Sequence, residues 1–188
     1  MVAKGHHFPD VTLVGVISAD TALHLPDFRA NERTFSLIAQ VAGRAGRGPK
    51  GGRVIVQTSH PTHYAVANAA RHAYEEFARA ELEERALLGL PPERRCALMV
   101  LSSQEEALAR RACEELAAIL HPVAAKEQVE LRGPARAPIE RVRGRWRYML
   151  LLLSRSAKGL AHTCAAARAA RVTRRVDLTI DVDPAAVL

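Results

Sequence analysis

The chain of 188 residues lacks any apolar run long enough to span a bilayer as a helix, and no signal peptide is expected from its composition. A soluble, cytoplasmic protein is expected, with no membrane partner. Cys96, Cys113 and Cys164 are odd in number, far apart and in no C-x-x-C pair. That pattern excludes a disulfide framework and a cysteine zinc site, and predicts three buried, reduced thiols. No G-x-x-x-x-G-K-[ST] loop occurs to cradle phosphates, and no D-E-x-H box occurs to hold magnesium. No complete nucleotide site is therefore expected within this chain.

What is present is a globular composition, 48% hydrophobic, with a formal net charge of +7. The charge is uneven: residues 1–92 carry a net +1 and residues 93–188 a net +6. A polyanionic partner is thus to be sought in the second half.

The most informative segment is Gln40-Val-Ala-Gly-Arg-Ala-Gly-Arg47. Arg44 and Arg47 each follow a glycine. A guanidinium matches phosphate oxygens through paired N–H groups, and glycine lets backbone approach a ligand closely. Gln40 adds an amide that donates and accepts. These are the parts that sense and stabilise the γ-phosphate of a nucleotide. The plainer alternative is a helix end broken at Gly43, with both arginines solvated.

Around this segment, Val11–Ile17 reads as a buried parallel strand with Asp20 just past its end. Asn31 is expected to cap a helix through Val41, and Arg53–Thr58 to form a second strand. Two such strands are too small a sheet to be stable alone. Residues 62–89 read as one helix, ended by Leu90-Pro91-Pro92, where a domain boundary is placed. His6-His7 reads as a solvated pair.

In residues 93–188 the pattern is β-α-β-β-α-β. Its elements are a strand at Cys96–Leu101, a helix from Gln104 to about Leu120 capped by Ser103, and a short strand at Val129–Arg132. A Pro- and Arg-rich loop runs from Gly133 to Gly144. A strand at Trp146–Leu153, a helix at Lys158–Ala170 and a strand at Val176–Val182 follow. From Arg132 to Arg147 there are six arginines against one acid, Glu140. On a strand Arg145 and Arg147 share one face, while Trp146 and Tyr148 share the other and are expected to anchor the core. With Arg141 and Arg143, those arginines form the candidate DNA-binding surface.

Several segments together resemble the primosomal replication-restart helicase family (PriA, primosomal protein N′). They are Met1–Val14, Pro26-Asp27-Phe28-Arg29, Glu32-Arg33, Gln40–Arg47, Gln57-Thr58, His60-Pro61, Gly144–Tyr148 and Asp181-Val182-Asp183-Pro184. The resemblance covers essentially the whole chain. It implies part of the second RecA-like lobe of a superfamily 2 helicase over residues 1–92, an α/β unit with a parallel sheet. A ferredoxin-like α+β domain over residues 93–188 would help bind branched DNA. It further implies an ATP-dependent 3′–5′ DNA helicase that restarts replication, in which Arg44, Arg47 and Gln40 act in motif VI. Lys4, Gly5 and Asp20 would couple nucleotide state to DNA. Single-stranded-DNA-binding protein and primosome proteins would be partners. The family's N-terminal DNA-binding domains, Walker motifs and zinc-binding cysteine insertion are missing from this sequence, and Glu93 stands where an aromatic is usual. ATP, magnesium and zinc therefore belong to an intact parent, and the chain alone is expected to be inactive. It reads as the C-terminal portion of a longer protein, or one with a misplaced start. Other readings are a non-enzymatic DNA-binding adaptor with a vestigial arginine finger, or an RNA-binding module.

Overall fold

The computed structural model describes residues 11–43, 52–170 and 173–187. The chain divides into two compact units, Met1–Glu84 and Arg85–Leu188. The division falls inside a helix, ahead of the Pro91-Pro92 turn.

In the first unit, β1 (Leu13–Val16) and β2 (Arg53–Val56) pair in parallel, Leu13 beside Arg53 and Val16 beside Val56. A short helix α1 (Asp20–Leu23) follows β1, and α2 (Ala30–Ala42) precedes β2. Phe35 and Ile38 of α2 are buried with Val16, Ala65, Val66 and Phe77. Phe35 and Phe77 stack at 4.3 Å between ring centroids. The expectation of a fully buried strand fails for Val11–Ile17. Alternate residues turn toward the core, but Leu13 is 59% exposed, Ile17 83% and Ile55 of β2 51%. Period-two geometry sends these side chains to the face that no described residue covers.

The cap of α2 also differs from expectation. Asp27 Oδ1, not Asn31, accepts from the backbone N–H of Arg29, the residue that precedes the helix. The buried Asp27 carboxylate lies 3.0 Å from the Arg33 guanidinium. The Pro26–Arg33 sequence thus secures its own loop. Gly43 ends α2 at φ −66°, so its freedom to take positive φ is unused.

The single helix expected over 62–89 is two: α3 (Tyr64–Ala70) and α4 (Tyr74–Leu88). His72 sits between them at φ 56°. Tyr64, at the start of α3, gathers a polar cluster. Its hydroxyl lies 2.6 Å from Glu81 and 2.5 Å from Glu84, and it accepts from Asn31 Nδ2 at 2.6 Å.

The second unit is built on a four-stranded antiparallel sheet of order β4-β5-β3-β6. Its elements in chain order are β3 (Arg95–Ser103), α5 (Glu106–Lys126), β4 (Glu130–Val142), β5 (Arg145–Ser154), α6 (Ala157–Ala169) and β6 (Asp177–Val182). Because β5 lies antiparallel between β3 and β4, those two strands are parallel and α5 crosses between them. Likewise α6 joins β5 to β6 across β3. Helix α5 presents Ala109, Cys113, Leu116, Leu120 and Ala124 at helical spacing, packed on Ala97, Met99, Leu101, Tyr148, Leu150 and Leu152. Leu160 and Cys164 of α6 join the same cluster. Cys96, Cys113 and Cys164 are all buried and in no disulfide, and burial pushes the Cys113 thiol pKa up to about 12.

Two boundaries shift here. Helix α5 continues past Leu120 through Pro122. It ends where Gln128 turns left-handed at φ 55° and Val129 N–H returns to Ala124 O at 2.8 Å. Residues 133–144, expected as a loop, mostly extend β4 as an edge strand. Pro134 and Pro138 are tolerated there because an edge strand leaves N–H groups unpaired, and the register slips twice, between Arg132 and Ala135 and between Arg136 and Arg141.

Candidate nucleic-acid interface

β4 and β5 form a hairpin in which Val142 pairs with Arg145, leaving the two-residue loop Arg143-Gly144. Both loop residues have positive φ, 50° and 80°, the signature of a type I′ turn. This turn sets which way each arginine faces.

Tyr148, Leu150 and Leu152 face the helices, so alternation puts Trp146 on that side. Trp146 is half-buried against the core, as expected, and Tyr148 is buried in it. Arg145 and Arg147 lie on the opposite face. There Arg145 is neutralised: it meets Asp177 of β6 at 2.7 Å and donates to the carbonyl of Ser102 at 2.8 Å. Among the described residues, Arg147 donates to the carbonyl of Ile139, at 3.3 Å. Arg141 is the register partner of Trp146, so it shares the helix-side face, its guanidinium 5.3 Å from the indole centroid. Arg143 stands exposed at the turn.

The four arginines therefore do not form one surface. Two share an open sheet face, one stacks on the other face, and one caps the hairpin. Arg141, Arg143 and Arg147 have no carboxylate partner among the described residues. The other two arginines of the segment are engaged. Arg136 reaches Glu106 at 2.7 Å and Glu140 at 3.0 Å, and Arg132 reaches Glu130 at 2.7 Å.

A second arginine group is visible only in the folded chain. Arg94, Arg132 and Arg155, far apart in the chain, line a cavity of about 710 Å³ with Glu93, Gln128 and Ser156. Each is paired: Arg94 and Arg132 with Glu130, Arg155 with Glu93. The two guanidiniums hold Glu130 below its ordinary pKa, Arg132 first.

In the first unit, Asp20 sits where β1 and β2 end. It accepts from the Thr58 hydroxyl at 2.5 Å and from the Ser59 N–H at 2.7 Å, with His60 Nδ1 at 3.5 Å. The Thr58 bond above all lowers its pKa to about 2. The His24 and His60 rings meet edge to face at 5.4 Å. Asp20 is thus a brace between the two strand ends. Gln40 is exposed on the last turn of α2. Lys4, Gly5, Arg44 and Arg47, with His6-His7, lie outside the described residues. Among the described residues no group of three His, Cys, Asp or Glu is placed to hold a metal ion, and no helix is long and apolar enough to cross a membrane.

Residues 86–185, more than half of the chain, match the family described as Primosomal protein N C-terminal domain. Replication restart protein PriA of Bacillus subtilis is 44% identical over 152 residues, 81% of this chain and 19% of that protein. The PriA of Haemophilus influenzae is 37% identical over 189 residues, 98% of this chain and 25% of its own length. That of Treponema pallidum is 41% identical over 155 residues, 81% of this chain and 23% of its own. The chain thus spans about a fifth to a quarter of the curated relatives it matches. With the family's C-terminal domain in its second unit and PriA likeness across both, the chain belongs to the PriA family of replication restart proteins.

Proposed function

We propose that this chain is the C-terminal portion of a PriA-type 3′–5′ DNA helicase, which binds forked DNA and restarts replication through primosome assembly. The second unit is read as a ferredoxin-like DNA-binding domain, since its two split β-α-β connections match that arrangement. The first unit is read as part of a RecA-like lobe. Its parallel strand pair, with one apolar face that no described residue covers, fits a doubly wound sheet whose other layer is supplied elsewhere.

In this reading Arg44 and Arg47, assisted by Gln40, reach the γ-phosphate of a nucleotide held by the parent protein's other parts. Lys4, Gly5 and Asp20 couple that state to DNA, Asp20 as a positioning residue through its bonds to Thr58 and Ser59. The described residues offer no metal-ligand set. Magnesium, ATP and zinc are assigned to the parent on the strength of the family resemblance, and no catalytic step is assigned to this chain alone. Single-stranded-DNA-binding protein and primosome proteins are proposed partners.

The observation that carries the DNA reading is the trio Arg141, Arg143 and Arg147, cationic and without carboxylates on one hairpin. Each phosphate contact contributes about 0.9 to the slope of log affinity against log salt on duplex DNA. Replacing Arg143 and Arg147 by glutamine should flatten that slope by about 2 on a forked substrate. An unchanged slope removes the hairpin from the interface. Structured RNA competing as well as forked DNA at matched salt would favour the RNA-binding alternative. The isolated chain should not hydrolyse ATP with or without DNA. Turnover that vanishes in Arg47→Ala would show the motor to be complete as it stands.

A further inference from the structure

Arg141 and Trp146 face each other across the β4–β5 ladder, one pair short of the turn. The indole is fixed from behind by its packing on the helix-side core. The guanidinium lies over the ring and is exposed to solvent. Glu140, next in sequence to Arg141, is already held by Arg136 at 3.0 Å, and no carboxylate among the described residues pairs with Arg141. Arg143, which has no carboxylate partner among the described residues, stands at the adjoining turn.

We propose that the Arg141–Trp146 stack is a platform for one unpaired nucleobase of the DNA, so that the hairpin recognises the single-stranded part of a fork. The inference rests on the DNA-binding reading above and adds a site and a preference to it. A guanidinium plane supported by an aromatic ring offers its outer face to a base, and bases stack on arginine planes as on aromatic side chains. A base inside a continuous duplex has both faces already covered and gains nothing from such a platform. An unpaired base gains the whole contact. Arg143 supplies the attraction for the neighbouring phosphate, where a long-range charge raises the local concentration of the strand.

The chain has one tryptophan, so its intrinsic emission reports on Trp146 alone. The 188-residue chain is titrated with oligothymidylate, with an abasic strand of equal length and with a blunt duplex. Tryptophan emission is read beside the anisotropy of labelled DNA. Oligothymidylate should bind and quench, while the abasic strand and the duplex should bind with little quenching. Arg141→Ala should weaken oligothymidylate about tenfold and duplex much less, since one base stack is worth about 5- to 150-fold in affinity. Arg141→Lys keeps the charge but not the plane, and should show the same loss of single-strand preference. Arg141 is on the surface, and far-UV circular dichroism checks that the variants remain folded. Binding without a change in emission, or equal quenching by the abasic strand, overturns the platform and leaves the DNA-binding reading in place. Absence of binding to every DNA overturns both.

Discussion

A Cβ atom built on Gly159 would stand 2.5 Å from the carbonyl oxygen of Glu127. The first turn of α6 is thereby pressed against the end of α5, and only a residue without a side chain fits. Gly159→Ala should destabilise the second unit by about 1–3 kcal/mol through overpacking, even though alanine favours the helical state. Denaturant unfolding of the chain reads this directly, and a stabilised variant would show that the two helices can separate at no cost.

Arg143 is a second place where local backbone preference is overruled. A left-handed conformation costs a residue with a Cβ roughly 1–2 kcal/mol, and asparagine tolerates it best at the first position of an I′ turn. Arg143→Asn should therefore raise the unfolding midpoint of the second unit while lowering DNA affinity. Gly144→Val, at φ 80°, should do the opposite to stability. Differential scanning calorimetry and anisotropy on the same samples separate the two effects. A variant that gains stability without losing affinity would remove Arg143 from the interface.

The Asp20 brace makes the first unit sensitive to acid. Its folded-state pKa of about 2 lies below the ordinary value of 3.8. Proton binding therefore favours the unfolded chain. The stabilisation is fully present above about pH 4 and is lost as pH falls through 2. In Asp20→Asn this dependence should disappear, so the stability gap between wild type and variant should close across that window. Acid titration followed by circular dichroism measures it, and a constant gap would show that the brace contributes nothing through its charge.

Tyr64 serves three partners with one hydroxyl. Burial, then the hydrogen bonds to Glu81 and Glu84, pushes its pKa well above the ordinary phenol value. A spectrophotometric alkaline titration should show Tyr64 ionising well above the ordinary phenol range, and Tyr64→Phe should remove that late step. Tyr64→Phe should cost about 1–3 kcal/mol, because polar groups on α2 and α4 lose a shared partner.

How much of this was legible depended on whether periodicity or tertiary context decided each element. The strand at Val176–Val182 alternates cleanly, and β6 forms there with Leu178 and Ile180 turned to the core. Helix α5 was visible through its apolar spacing, but its end was not, because a left-handed Gln128 has no composition cue. The edge strand through Pro134 and Pro138 was misread, since those residues would break any central strand. Its position at the sheet margin could not be known in advance. The partner of Arg145 was equally hidden: Asp177 becomes its neighbour only because β6 returns beside β3. Trp146 and Tyr148 were placed correctly because alternation on a strand needs only local geometry. The stacking of Arg141 on Trp146 required the turn to be known.

That β6 lies beside β3 has one more consequence. The ladder joins Ala97 to Val182 and Ser102 to Asp177, stretches separated by most of the unit. The closing pairs form only after nearly all of the intervening chain is in place, so the entropy of a long loop is met late. A nascent chain still threaded through the ribosome exit at its final strand would expose the flank of β3, making the closing step the vulnerable moment in its synthesis.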